Sequence, residues 1–143
     1  MHIRDVVAGK AGPAIVTIAP EATVRDLVAL LATQNIGAAV VSSDGTTVAG
    51  IVSERDVVRH LNGNDAILDA AVADIMTTDV RTCESSSSLD EVRTVMTEGR
   101  FRHLPVVDDG TLVGVVSIGD IVKSHIAEVE FERDQLDSYV HQT

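Results

Sequence analysis

Aromatic residues are nearly absent from this sequence, which has two Phe, one Tyr and no Trp among 143 residues. Its core must therefore be built from Val, Ile, Leu and Ala, which suits closely packed strands and helices. The single cysteine, Cys83, excludes an internal disulfide and fits a reducing compartment. The apolar runs are too short to span a bilayer, and the N-terminus lacks a signal-peptide core. We therefore expect a cytoplasmic protein without membrane association.

Basic residues are also scarce, since Lys and Arg number 11 against 22 Asp and Glu, for a formal net charge of −11. A broad nucleic-acid footprint needs a positive surface, so no nucleic-acid partner is expected. A small anion held by a few local donors remains compatible with this charge. The scattered histidines match no metal-ligand spacing, and no nucleophile has a base in a motif next to it. These absences predict a protein without catalysis of its own and without a required metal.

The chain instead contains an internal repeat. The stretch GIVSERDVV that starts at Gly50 returns as GVVSIGDIV from Gly114, a shift of 64 residues. Upstream, the Ile15 to Thr17 stretch returns as Val80 to Thr82. Such a repeat predicts two homologous units of about sixty residues. Because each half alone would have a marginal core, we expect the halves to fold together and to carry a duplicated site.

Each unit has the pattern of a strand, a helix, two strands and a second helix. In the first unit, Thr23 and Ser53 are predicted helix caps, and a hairpin turns at residues 44–45. In the second unit, Ser88 with Glu91 forms a predicted capping box, the hairpin turns at residues 109–110, and a helix starts after Ser117. Apolar spacing predicts a further helix over 66–72 in the linker, and the tail extends the last helix.

Three motifs carry a resemblance to a known family: the two Gly-hydrophobic-hydrophobic-Ser-x-x-Asp stretches, Asp74-Ile-Met-Thr-Thr78, and Arg102-His-Leu-Pro-Val-Val107. Over roughly residues 3–124 the chain resembles the cystathionine-β-synthase (CBS) domain family, as a stand-alone tandem pair or Bateman module. The resemblance implies an α+β fold in which two β-α-β-β-α units, related by a pseudo-twofold axis, form one compact module. The units would span 3–60 and 72–124, with a C-terminal helical extension over 125–143.

The repeated Ser and Asp positions, Ser53 with Asp56 and Ser117 with Asp120, allow two interpretations. Each pair could simply cap a helix, although capping alone favours Glu or Gln at the third position, since we expect Asp to reach back poorly. Alternatively, the helix N-terminus and the Ser hydroxyl would bind an anion, and the Asp would accept both hydroxyls of a ribose. The repeat and the resemblance favour the second interpretation.

In the resembled family, residues at the positions of Arg102 and His103 contact phosphates. The resemblance therefore implies a cationic cleft in which Arg102, His103, Ser117 and Asp120 bind ribose and phosphate. The adenine would lie in that cleft against the first unit, near the residues Pro13, Ile15 and Ile36.

The other cleft has the uncharged Gly37 and Ala38 at the positions of the cationic pair. It would keep Ser53 and Asp56, with Arg55 as a substitute cation. Its base would lie near Thr78 and Phe101. Thr17 and Thr82 share one strand position, where either β-propensity or a ligand contact explains Thr.

The leading hypothesis is a regulatory module that binds an adenine nucleotide and senses energy or redox state. AMP is the first candidate ligand, with ADP, ATP and NAD(H) as alternatives. We expect a homodimer, as the resemblance implies, that signals to a downstream protein target. The alternative is a dimeric protein-interaction scaffold whose clefts are vestigial, and an enzyme is the third and weakest interpretation.

Overall fold

The computed structural model describes residues 1–10 and 15–141, and its helices and strands follow a repeated order. The first half contains α1 (Ile3–Ala8), β1 (Thr17–Ile18), α2 (Val24–Gln34), β2 (Ala38–Val41), β3 (Gly50–Ser53) and α3 (Glu54–Leu61). Two short 3-10 turns follow at Asp65–Asp69 and Val72–Asp74. The second half contains α4 (Leu89–Gly99), β4 (His103–Asp108), β5 (Thr111–Ser117) and α5 (Ile118–His141).

Each half builds its own small sheet, which confirms the predicted α+β fold. In the first, β1 pairs parallel with β2, and β2 pairs antiparallel with β3. In the second, β4 pairs antiparallel with β5, and a single parallel bridge joins Cys83 to Val106. That bridge lies at the position equivalent to the pairing of Ile18 with Val41. The first strand expected for the second unit is thus reduced to this one bridge.

The predicted helix over 66–72 is not continuous, because it is helical only as far as Asp69 and there as a 3-10 helix. The chain there forms the two 3-10 turns, and between them Ala70 and Ala71 are extended, with ψ of 161° and 147°. The carbonyl of Ala70 accepts the N–H of Val24 at 2.9 Å, and the N–H of Val72 bonds the carbonyl of Ala22 at 2.8 Å. Pairing with the residues at the start of α2 therefore holds this stretch extended, against its helical periodicity.

The helix caps form at the predicted positions, but the capping box predicted for Ser88 and Glu91 forms only its serine half, since the Glu91 side chain does not accept the N–H of Ser88. Thr23, Ser53 and Ser88 each accept the N–H of the third residue along. A complete capping box also needs the third residue's side chain to accept the backbone N–H of the cap. Asp26 accepts the N–H of Thr23 at 3.2 Å, and Asp56 accepts that of Ser53 at 2.8 Å. The expectation that Asp reaches back poorly is therefore wrong, and helix capping accounts for part of the Ser-x-x-Asp signal.

The two hydrophobic cores are interleaved along the chain. Ile3 and Val6 of α1 lie in the core of the second half, with Leu89, Val92 and other apolar residues of that half. Residues of the linker pack in the core of the first half, among them Val72. Matching backbone bonds hold both crossings, such as the Ile3 N–H to the carbonyl of Ser87 at 2.9 Å. Each packing unit therefore contains the segment that stands at the start of the other repeat in the sequence.

Arg100 ends α4 with φ of 57°, the left-handed conformation that Asn35 adopts at the end of α2 with φ of 53°. Asn tolerates this conformation, whereas a long side chain pays about 1–2 kcal/mol there. We expect Arg100→Gly to raise the free energy of unfolding by about 0.5–1 kcal/mol in urea titrations. The matched change Asn35→Gly should move it by only a few tenths. A destabilising Arg100→Gly would contradict this account.

Candidate functional site

The two strand-to-helix junctions are built alike. The carbonyl of Gly37 accepts the first N–H of α3, from Glu54, at 2.9 Å. The carbonyl of Arg102 accepts the first N–H of α5, from Ile118, at 2.8 Å. Within the sheets, Ala38 lies opposite Ser53, as His103 lies opposite Ser117. The duplication thus places a residue pair at the start of one strand beside the serine that caps the next helix.

A cavity of about 530 Å³ opens beside the first of these junctions. Its size falls within the range of about 300–1,000 Å³ that is typical of small-molecule sites. Six of the residues singled out from the sequence line it, namely Ser53, Arg55, Asp56, Phe101, Arg102 and His103. The structure therefore brings Arg102 and His103 to the cavity of Asp56. Ser117 and Asp120, with which the sequence grouped them, are not among its lining residues.

Arginines dominate the charge of this cavity. Five of them line it, Arg55, Arg59, Arg81, Arg100 and Arg102, against the acidic residues Glu54, Asp56 and Asp79. A local excess of positive charge in a chain of net charge −11 favours an anionic ligand. Guanidinium groups bind phosphate oxygens in a bidentate manner, so the cavity has the donors for one or more phosphates.

Sequence reasoning missed three of these arginines. Arg59 lies one helical turn after Arg55, and that spacing of four residues was the signal available for it. Arg100 adjoins Phe101 and Arg102, so its neighbours could have identified it. Arg81 reaches the cavity only through the tertiary fold, and no local pattern marks it.

The cavity also has an aromatic surface. The Arg81 guanidinium carbon lies 5.9 Å from the centroid of the Phe101 ring, within cation–π range. A Cβ atom at Gly99 would lie 2.1 Å from Cε2 of Phe101, so only glycine lets the ring lie against the backbone there. A flat base could stack at this ring beside the arginines.

Asp56 supplies one of the three carboxylates of the cavity. Its Oδ2 accepts the Ser53 N–H at 2.8 Å and the Ser53 hydroxyl at 3.1 Å. In residues 1–10 and 15–141, no hydrogen bond or ion pair reaches its other oxygen, Oδ1. The capping role thus leaves one carboxylate oxygen able to accept from a ligand hydroxyl.

Asp120 has a different environment. Its Oδ2 accepts the Ser117 N–H at 2.9 Å and is also paired with the Lys10 ammonium at 2.9 Å. Burial raises the pKa of this carboxyl, but the bonds from Ser117 and the charge of Lys10 together lower it below its ordinary value. No local pattern marks Lys10, because its contact joins the segment that follows α1 to the start of α5.

The remaining predicted site residues lie outside the lining of the 530 Å³ cavity. Thr78 is exposed between two lining residues, Thr77 and Asp79. Thr17 pairs with Val40 in the first sheet, while Thr82 is exposed. Ile15 is 36% exposed, and Ile36 packs partly against the first core. Pro13 falls outside the residues that the structure describes.

His103 lies between the two junctions, and its environment predicts a pH dependence of stability. Burial, followed by the charge of Lys10, lowers the pKa of His103 from 6.5, although Asp120 and Glu54 oppose the shift. The unfolded chain therefore binds this proton more readily, so stability should fall as pH drops below about 6.5. Urea titrations from pH 7.5 to 5.5 should show this slope, and His103→Gln should flatten it. His141→Gln, at the exposed end of α5, is the matched control, and an unchanged slope in His103→Gln would contradict the prediction.

The sequence is similar to proteins of a known family. The sequence model of the CBS domain matches the chain twice, at residues 3–63 and 72–126. The mitochondrial CBS domain-containing protein CBSX3 of Arabidopsis thaliana is 35% identical over 124 residues, which cover 82% of this chain and 60% of that protein. This chain therefore spans less than two thirds of that relative's length.

The fold is shared with solved structures of CBS-domain proteins. A CBS-domain protein from Burkholderia ambifaria is 42% identical, with a TM-score of 0.82 over 89% of this chain and 95% of that one. CBSX2, solved in complex with AMP, is 26% identical, with a TM-score of 0.75 over 88% of this chain and 96% of that one.

Proposed function

Because the chain belongs to the CBS domain family, we propose that it is a regulatory module whose ligand is an adenine nucleotide. The nucleotide would bind in the cavity lined by Asp56 and the five arginines, and its binding would report energy or redox state to a downstream protein. The complex of CBSX2 with AMP supports this ligand class and makes AMP the first candidate.

The observation that carries the proposal is the convergence of three chemistries in one cavity. The free oxygen of Asp56 would accept from the ribose hydroxyls, the guanidinium groups would hold phosphate, and Phe101 would stack with the base. Five arginines are more than one phosphate needs, so ADP, ATP and NAD(H) also fit this set of donors.

A ligand panel tests the proposal. We expect AMP, ADP, ATP or NADH at millimolar concentration to raise the melting temperature, while GMP and inorganic phosphate raise it less. A ligand at about a hundredfold its Kd stabilises a folded protein by roughly 2.7 kcal/mol, which is easily measured. S-adenosylmethionine belongs in the panel as an adenosyl ligand without phosphate. No shift with any adenosyl compound, together with no heat in calorimetry, would refute the proposal.

Catalysis is not part of the proposed function. The one cysteine, Cys83, is buried, and burial, with a further effect of Asp108, raises the pKa of its thiol to about 11. The thiol is therefore protonated and unreactive at neutral pH. Among the described residues, no group of three or more His, Cys, Asp or Glu side chains is placed to hold a metal ion. In the same ranges, no helix has the length and apolar character needed to cross a bilayer.

The second candidate, a protein-interaction scaffold, is favoured by one observation, the exposed apolar side chains of α5. Val122, Ile126 and Val129 are each about half exposed, and Leu136 is 66% exposed. Their spacings of four, three and seven residues place them on one helix face. Such faces are usually covered by a partner. In the scaffold function the ligand panel would be negative while this face still bound a protein.

We propose that α5 helps to form a homodimer. Its residues Leu136, Tyr139 and Val140 would add contacts between the two copies, and these contacts are called the clamp. Light scattering at micromolar concentration should give twice the chain mass of 15.1 kDa. Acidic residues from Glu128 to Asp137 would face like charges in a second copy, so added salt should strengthen the clamp. Truncation after Ser124 should weaken the dimer and remove this salt effect. A mass near 15.1 kDa would contradict the dimer, and a truncated chain that dimerises as before would contradict only the clamp.

A further inference from the structure

The two duplicated carboxylates, Asp56 and Asp120, differ in one feature, the ammonium of Lys10. Lys10 Nζ lies 2.9 Å from Oδ2 of Asp120 and donates to the carbonyl of Val115 at 2.8 Å. The side chains of Lys10 and Asp120 are only 25% and 24% exposed. Among the described residues, Asp56 has no such cation in an ion pair.

The position of Lys10 is set by the fold. Lys10 follows α1, which packs in the core of the second half. The repeat shift of 64 residues makes Val115 the equivalent of Ile51. The carbonyl of Ile51 accepts a backbone N–H, that of Thr77, at 2.9 Å, whereas the carbonyl of Val115 accepts the Lys10 side chain. Lys10 thus replaces a backbone contact of the first half and brings a charge with it.

This charge competes directly with a ribose. A ribose hydroxyl is a neutral donor, whereas the ammonium carries a full positive charge, which adds a Coulomb attraction to its hydrogen bond with the carboxylate. Oδ2 of Asp120 already accepts from both Ser117 and the ammonium. Among the described residues, Oδ1 accepts no hydrogen bond at either aspartate. A nucleotide at Asp120 would nevertheless meet an ammonium already paired with the carboxylate, whereas one at Asp56 would meet a carboxylate without a paired cation.

We propose that Lys10 determines which of the two duplicated sites takes the nucleotide: by holding Asp120, it restricts binding to the cavity of Asp56. The inference rests on the proposed function, since it assigns the same class of ligand to one site and withholds it from the other. Removal of the ammonium should open the Asp120 site.

Calorimetric stoichiometry with AMP tests the inference. The parent chain should bind one AMP per chain, and Lys10→Met should bind two. The double variant Lys10→Met with Asp120→Asn should return to one, because it lacks the second carboxylate. The sequence has only one other lysine, Lys123, which is exposed on α5, so Lys123→Met is a matched control that should bind one.

The outcomes separate this inference from the proposed function. A parent that binds one AMP supports the proposed function, and a folded Lys10→Met that still binds one overturns the inference alone. A parent that binds two, with Lys10→Met binding one, would mean that Lys10 holds phosphate in an occupied second site, and would also overturn the inference. No AMP binding by any of these proteins would refute both.

A second measurement needs no variant. With two lysines, a chain labelled with ¹³Cε-lysine gives two side-chain signals in NMR. Saturation with one equivalent of AMP should leave the Lys10 signal in place. A Lys10 signal that shifts in step with the first equivalent of AMP would overturn the inference, even if Lys10→Met failed to fold.

Discussion

Ile3→Ala is expected to lower the free energy of unfolding by about 3 kcal/mol, within the range of roughly 2–5 kcal/mol for such truncations in a core. Ile3 is 0% exposed and belongs to the core of the second half, although it stands at the start of the first unit in the sequence. The destabilisation should therefore affect the second half, far from Ile3 along the chain. Urea unfolding measures its size.

Hydrogen exchange shows where the loss occurs. Amides of α4 should lose protection in Ile3→Ala before those of α2, because Leu89 and Met96 of α4 share the core with Ile3. The control is Val58→Ala on α3, a truncation to alanine at a side chain that is 67% exposed and lies away from the α5 face, with an expected loss below about 0.5 kcal/mol. Earlier loss of protection in α2 would contradict the interleaved cores.

Asp56→Ala is expected to weaken AMP binding by about ten- to a hundredfold. A carboxylate that accepts ribose hydroxyls makes charge-assisted hydrogen bonds of roughly 1.5–3 kcal/mol each, and water replaces part of this. Asp120→Ala should change the affinity less than threefold, because Lys10 already occupies that carboxylate. This order is the reverse of the one that the sequence motifs favour, in which the site of Asp120 held the cationic pair.

Asp56→Ala also removes a helix-capping contact, and the control for this loss is Asp26→Ala. Asp26 completes the same kind of capping box on α2 and does not line the cavity, so its loss should lower stability without weakening AMP. Arg102→Ala should weaken ATP more than adenosine, since its guanidinium would contact phosphate. Equal AMP affinities for Asp56→Ala and the parent would show that the nucleotide does not use this carboxylate.

The elements that the sequence predicts well are those with local causes. Thr23, Ser53 and Ser88 cap helices as predicted, because a cap needs only a hydroxyl three residues before a free N–H. The repeat of the Gly-to-Asp motif predicts two similar sheets and helices for the same reason. The helix predicted at 66–72 is not continuous, because its backbone pairs with the residues before α2, and that tertiary contact outweighs apolar periodicity.

The sequence by itself determined the duplication, the family, and the placement of a serine and an aspartate at the start of two helices. Tertiary structure decided which aspartate is paired with a cation. Lys10 meets the carbonyl of Val115 across 105 residues of chain, and Arg81 joins Arg55 in one cavity only after the halves pack together. Local patterns specify caps and strands, whereas the charge around each carboxylate depends on segments that fold into the opposite half. For that reason the two equivalent motifs acquire different chemical environments.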